Sequence, residues 1–187
     1  INRSLSEDGV NFIDSDARLG RVEFHNILSD ALDADYSKLN IEQMSCFDVG
    51  NDCLDISFSS VNSKLLEAQN VKDKALSAGE KSRINLEQLI VENSEMAIVA
   101  KDLSEVIVNQ LRVVNVKVPI ALFVKKPEFG SPSLLIHQQT PDTWLSQSLI
   151  SSDSSLTISN QVVHGQYSSK NVLDKLYGNE FGVKTVR

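Results

Sequence analysis

From Gly9 onward the chain sets apolar residues against polar ones in short bursts that recur at a fixed interval. Four segments lie over one another: DALDADYSKLNI from Asp30, DCLDISFSSVNS from Asp52, KALSAGEKSRINL from Lys74 and MAIVAKDLSEVIV from Met96, their starts 22 residues apart. The third carries one extra residue near Glu80 or Lys81; a weaker copy opens at Gly9 and a degenerate one at Val118. One column of the repeat reads Leu32, Leu54, Leu76, Ile98, and another, two residues on, reads Ala34, Ile56, Ala78, Ala100. Beside them stand Asp33, Asp55, Ser77, Val99 and then Asp35, Ser57, Gly79, Lys101. Alternation at every second residue is the period of a strand, not of a helix.

A Ser-x-apolar step opens a second strand in each copy, at Ser37, Ser59, Ser82 and Ser104, and a third apolar stretch follows, such as Cys46 to Val49. Three short strands per coil and no helix between them predict an all-β fold, a right-handed parallel β-helix of five or six coils. The leucine-rich-repeat signature is missing, and β-branched residues in the apolar columns argue against stacked helices. The whole chain, 1–187, reads as one domain, with coils over about 9–136 and a last coil and irregular cap over about 137–187. Pro127, Gly130 and Pro132 mark a loop, and Ser154 to Ile158 reads as one more strand. The segment around Trp144 and the tail from Lys170 to Arg187 are expected to close the solenoid's end.

Charge narrows the partners. Eighteen Lys+Arg against 25 Asp+Glu leave a net charge of -7, which opposes a phosphate-backbone ligand, so no nucleic acid is expected. No apolar run approaches the ~18 residues that span a bilayer. Cys46 and Cys53 match neither a disulfide framework nor a four-ligand zinc site and read as small core residues.

Stacking turns repeat columns into spatial neighbours about 4.8 Å apart. Asp33 then lies against Asp55, with Asp30, Asp35 and Asp52 close by, and two such carboxylates repel by roughly 3–4 kcal/mol at an effective dielectric near 20. Lys74, in the column of Asp30 and Asp52, and Lys101, in that of Asp35, offset part of this charge. Two readings of the face stand. One is a carbohydrate-processing cleft or a Ca²⁺ site, with Asp33, Asp35 and Asp55 as oxygen ligands. The other is a solvated polar face whose Asp and Ser side chains bond the backbone.

The strings SDALDAD, GNDCLDIS, DKALSAGEKS, AIVAKDLS, FVKKPEFG and YGNEFG together resemble the bacterial right-handed β-helix repeat proteins of the pectin-lyase-like superfamily. The resemblance implies an N-terminal partner domain of the same protein and a location in the cell envelope or outside the cell. It extends to the active-site strands of polygalacturonase-type glycoside hydrolases, which show Asn-Thr-Asp-Gly, Gly-Asp-Asp-Cys, Gly-His-Gly-Leu-Ser and Arg-Ile-Lys. Asp30 keeps the first aspartate, Asn51 replaces one of the Asp-Asp pair before Asp52, Lys74 replaces the histidine, and Lys101 keeps only the lysine. Asn51 cannot donate the proton that inverting hydrolysis needs. Uronate lyase or epimerase chemistry, with a base and a cation, is the form the resemblance leaves open. The candidate catalytic residues are Asp30, Asp52, Asp55, Lys74 and Lys101, and the candidate substrate contacts are Asn51, Ser57, Ser77, Glu80 and Asp102. The function expected is recognition or processing of an extracellular polysaccharide, a uronate-containing one among the options; the alternative is a non-catalytic structural or assembly module.

Overall fold

A computed structural model describes residues 1–140 and 142–178. The chain winds into a parallel β-solenoid of about seven turns, nearly all of it strand. Successive strands from β1 to β15 alternate between two sheets. The long-stranded sheet runs β1 (Asn2–Ser4), β3 (Asp16–Ile27), β5 (Lys38–Val49), β7 (Ser60–Val71), β9 (Arg83–Glu92), β11 (Glu105–Val114), β13 (Ser133–Thr140), β15 (Ser155–Ile158), β16 (Gln161–Val163). The short-stranded sheet runs β2 (Asp8–Ile13), β4 (Asp30–Asp35), β6 (Leu54–Ser57), β8 (Lys74–Ala78), β10 (Met96–Lys101), β12 (Val118–Phe123), β14 (Leu149–Ile150). Every pairing is parallel except that of β15 with β16. The 22-residue register holds: Leu32 pairs with Leu54, Leu54 with Leu76, and Leu76 with Ile98.

The expected third strand is not separate. Between inward Ile41 and Met44, two consecutive residues, Glu42 and Gln43, face outward, and the same slip recurs at Lys64–Leu65 and Glu87–Gln88. The strand changes phase there while its pairing continues, so the second and third apolar stretches form one long strand.

Two corners per coil return the chain, and both use positive φ. One is a column of Asn26, Asp48, Asn70, Asn93 and Asn115, at φ 51° to 58°. Asn and Asp occupy that region at lower cost than other residues with a Cβ. Their side chains join in a ladder: Asn70 Nδ2 donates to Asp48 Oδ1 (2.9 Å), and Asn115 Nδ2 to Asn93 Oδ1 (2.8 Å). At the other corner stand Asp14, Tyr36, Phe58, Lys81 and Leu103. There the serine that follows satisfies the backbone: Ser59 Oγ accepts from Ser37 N (2.7 Å) and donates to Ser57 O (2.8 Å). The additional residue of the third copy is absorbed at this corner, where Ser82 N reaches back to Gly79 O (3.1 Å).

The core fills the space between the sheets, with Leu32, Leu54, Leu76, Ile98 and Ile120 from one side and Leu39, Val61, Ile84, Val106 and Leu134 from the other, all buried. Each such side chain contributes about 1.5–3 kcal/mol by leaving water.

Cys46 and Cys53 are not separate core thiols but form a buried disulfide. The Asp48 corner folds the chain back so that these two inward positions meet with Cα atoms 5.9 Å apart. A native disulfide typically contributes about 2–4 kcal/mol.

The C-terminal end is closed in part as expected. A 3₁₀ helix at Asp142–Gln147 places Trp144 over the core, and β16 folds back antiparallel on β15 through Ser159 and Asn160, both at positive φ. The tail does something else. Residues Ser169–Tyr177 form α1, started by a capping box between Ser168 and Asn171. Its apolar residues Val172 and Leu176 bury against the side of the solenoid, not its end. The Phe181-Gly182 pair and the rest of the tail lie outside the described residues.

Candidate functional site

The outer face of the short-stranded sheet carries the expected residues. Ala31 and Leu32 both point inward, so the outward positions of β4 are Asp30, Asp33 and Asp35. Down the solenoid, the first outward column reads Asp8, Asp30, Asp52, Lys74, Met96, Val118; the second reads Asn11, Asp33, Asp55, Ser77, Val99, Ala121; the third reads Ile13, Asp35, Ser57, Gly79, Lys101, Phe123. Apart from exposed Ile13 in the first coil, the face changes from acidic to apolar, with two lysines at the boundary. On its apolar half, Met96, Val99, Val118, Ala121, Phe123 and Leu149 are covered by Val172 and Leu176 of α1.

On the acidic half, Asp33 and Asp55 are paired neighbours, as the repeat requires. Asn11 Nδ2 donates to Asp33 Oδ2 (3.2 Å) and to Asp8 Oδ2 (3.0 Å), tying two carboxylates. Burial, and then the charges of Asp55, Asp35, Asp8 and Asp30, push the Asp33 carboxyl up to about 7. Burial and the neighbouring Asp55 raise Asp35 as well. Burial also raises Asp30, although Asp52 N (2.7 Å) and Asn51 Nδ2 (2.6 Å) both donate to its carboxylate.

The expected catalytic lysines are locked. Lys74 is 6% exposed and Asp52 2%. The Lys74 ammonium meets Asp52 at 3.2 Å and is also paired with buried Asp73. Burial alone would lower Lys74, but the two carboxylates outweigh it and hold the lysine above its ordinary range. Two carboxylates share one ammonium, so burial with the surplus negative charge lifts Asp52. Lys101 lies over Gly79, where a Cβ would meet Ser57 Oγ at 2.8 Å, and its Nζ reaches the buried Ser77 Oγ (3.3 Å). Burial works most strongly against its charge, but Asp55, Tyr177 and Asp52 together outweigh burial and raise it. Neither lysine is a ready base, since each is held protonated.

Of the expected substrate contacts, Asp102 stands apart from this face, whereas Glu80 reaches it through a hydrogen bond with Ser57. Asp102 is fully buried, and its Oδ1 accepts from the backbone N–H of Lys125 (2.7 Å) and Lys126 (2.8 Å), fastening the following loop. Glu80 is ion-paired with Lys126; burial would raise its carboxyl, but Lys126 together with hydrogen bonds from the backbone and Ser57 outweighs burial and lowers it to about 2. Among the described residues no group of three or more His, Cys, Asp or Glu side chains is gathered closely enough to hold a metal ion.

One border of the open half carries no expected residue. Tyr36 and Phe58, at the corner directly after Asp35 and Ser57, stack with ring centroids 4.9 Å apart. Phe129 meets Phe58 edge-on at 5.8 Å, and Lys81 Nζ lies 5.6 Å from the Phe129 ring centroid. The signal was the 22-residue spacing of Tyr36 and Phe58, which fell between the two strand templates. Asp73 was missed because it lies outside the outward columns.

No protein-family model matches the chain, and neither a curated protein nor a solved structure matches it. The fold places it in the class of parallel β-solenoids. Its site rests on the geometry above.

Proposed function

We propose that this solenoid recognises a polysaccharide on the open acidic half of its short-stranded sheet and does not process it. The observation that carries this reading is the border: half-buried Asp33, Asp35, Asp55 and Ser57 lie in columns flanked by the Tyr36–Phe58 stack. Tyr36 is 62% exposed and offers a ring on which a sugar can lie while the carboxyls and hydroxyl take its polar groups. The sign of the face disfavours a polyuronate and favours a neutral or amine-bearing sugar. The locked state of Lys74 and Lys101 supports binding over lyase or epimerase chemistry. The buried disulfide supports an oxidising location, at the cell envelope or outside the cell.

Titration with glucosamine, neutral and galacturonate hexamers, followed by assays for new reducing and unsaturated ends, tests this. The expected result is binding of the amine-bearing or neutral hexamer, weakened by Tyr36→Ala, with no new chain ends. Cleavage of any hexamer, or binding of galacturonate alone, overturns it.

The alternative is an assembly module that docks another domain through the N-terminal end. It is favoured by one observation: among the described residues, β3 pairs with β5 along most of its length and with short β1 only at His25 and Ile27. A strand edge of that length is a surface on which a further strand can pair.

A further inference from the structure

On the opposite side of the solenoid, the outer face of the long-stranded sheet has a groove of about 310 Å³ where the strands change phase. It crosses β5, β7, β9 and β11. One wall is a column of Asn40, Asn62 and Asn85; the other carries Glu42, Lys64, Glu87 and Asn109. Asn85 Nδ2 donates to Asn62 Oδ1 (3.1 Å), and Asn62 Nδ2 to Asn40 Oδ1 (3.4 Å).

A primary amide has two N–H donors and an oxygen with two lone pairs, so the ladder uses only part of what each asparagine offers. The remaining donors and acceptors repeat about every 4.8 Å along the solenoid axis. Charge in the groove is nearly cancelled. Lys64 is ion-paired with Glu42 and also attracted by Glu87, leaving one surplus negative charge among the three. Ile107, 37% exposed, gives an apolar patch in line with the asparagines. A polyanion is repelled by such a surface, and a polycation finds only one surplus charge to pair with. A ligand that suits it is uncharged, presents donors and acceptors at a regular interval, and has C–H faces to rest on Ile107.

We propose that this groove binds a neutral, linear oligosaccharide lying along the solenoid axis, with Asn62 and Asn85 as its central contacts. The site shares no residue with the acidic face and does not depend on the reading given for it.

The test uses the whole chain and hexamers of cellulose, mannan and xylan, with hexagalacturonate as the charged control. Side-chain amide signals of asparagine are followed by ¹⁵N NMR while affinity is measured by calorimetry. The expected result is that one neutral hexamer shifts the amide signals of Asn62 and Asn85. Asn62→Leu or Asn85→Leu then lowers its affinity at least tenfold, and the dimer of the same sugar binds far more weakly. If no neutral hexamer shifts those signals in the wild-type protein, the ladder only holds strands together and the proposal fails. The NMR arm needs no variant, so it still decides the matter if a variant does not fold. Binding that is equal in the wild type and both folded variants overturns the proposal too.

Discussion

The two halves of the short-stranded sheet share a backbone and an interior yet present opposite outer surfaces. In β4 and β6 the outward residues include Asp30, Asp33, Asp35, Asp55 and Ser57; in β10 and β12 they include Met96, Val99, Val118, Ala121 and Phe123. Their inward columns remain alike, with Leu32 and Leu54 continuing into Ile98 and Ile120. A solenoid thus separates its two tasks by parity: inward positions set the coil, and outward positions are free to vary. The apolar half is covered by α1, and the acidic half lies open. Lys74 and Lys101 stand at the boundary, where they neutralise the last aspartates instead of facing a ligand.

The largest expected effect is on what the halves share. Leu76 is buried in β8, midway between them, and Leu76→Asp removes a core side chain and buries a charge, at a cost of about 5 kcal/mol or more. Circular dichroism should show both halves lost together; a native spectrum and melting temperature would refute the shared core. Next comes the boundary. Lys74→Met leaves Asp52 and Asp73 buried without their cation and should cost about 3–5 kcal/mol in urea unfolding. Adding Asp52→Asn should recover part of that loss. If Lys74→Met is neutral, the lysine is not the clamp between the halves.

Much of this plan is legible in the sequence, and its gaps have physical causes. The columns through Leu32 and Asp33 are visible because strand alternation and a fixed coil length leave a regular trace. The additional residue near Glu80 is visible for the same reason. The disulfide is not, because a spacing of seven acquires meaning only when the Asp48 corner turns the chain back. The aromatic corner is hidden because Tyr36, Phe58 and Lys81 share a backbone conformation, not a chemistry. The locked lysines are the clearest loss. Column position made Lys74 look accessible, but its burial depends on contacts with Asp52 and Asp73 that spacing alone does not reveal. Helix α1 comes from a tail that carries no trace of the repeat, and its capping box at Ser168 and Asn171 is too short a signal to show which face it covers.

A smaller effect is expected from uncovering the apolar half. Leu176→Asp should detach α1 at about 2–4 kcal/mol while the strands persist. Binding of a hydrophobic dye should rise with little change in the strand signal; no rise would mean that α1 is not what covers Met96 and Phe123. The smallest effect is on pH dependence. The Asp33 carboxyl is raised in the folded state to about 7 from an ordinary value near 4. The folded state therefore binds this proton more tightly than the unfolded one, and the contribution of Asp33 to stability falls as pH rises from about 4 to about 7. Asp33→Asn should match the wild type below pH 4 and exceed it above pH 7, modestly, since the group is partly exposed to solvent. A wild type that is the more stable partner above pH 7 would reverse the assignment.

Whether the open half is a binding face is decided most directly by hydrogen exchange on the unmodified chain, with and without glucosamine hexamer at saturation. A binding face there requires protection confined to β4, β6 and the Tyr36–Phe58 corner, with α1 and the strands beneath it unchanged. Protection that falls on α1 instead, or none at all with any of the three hexamers, would contradict it.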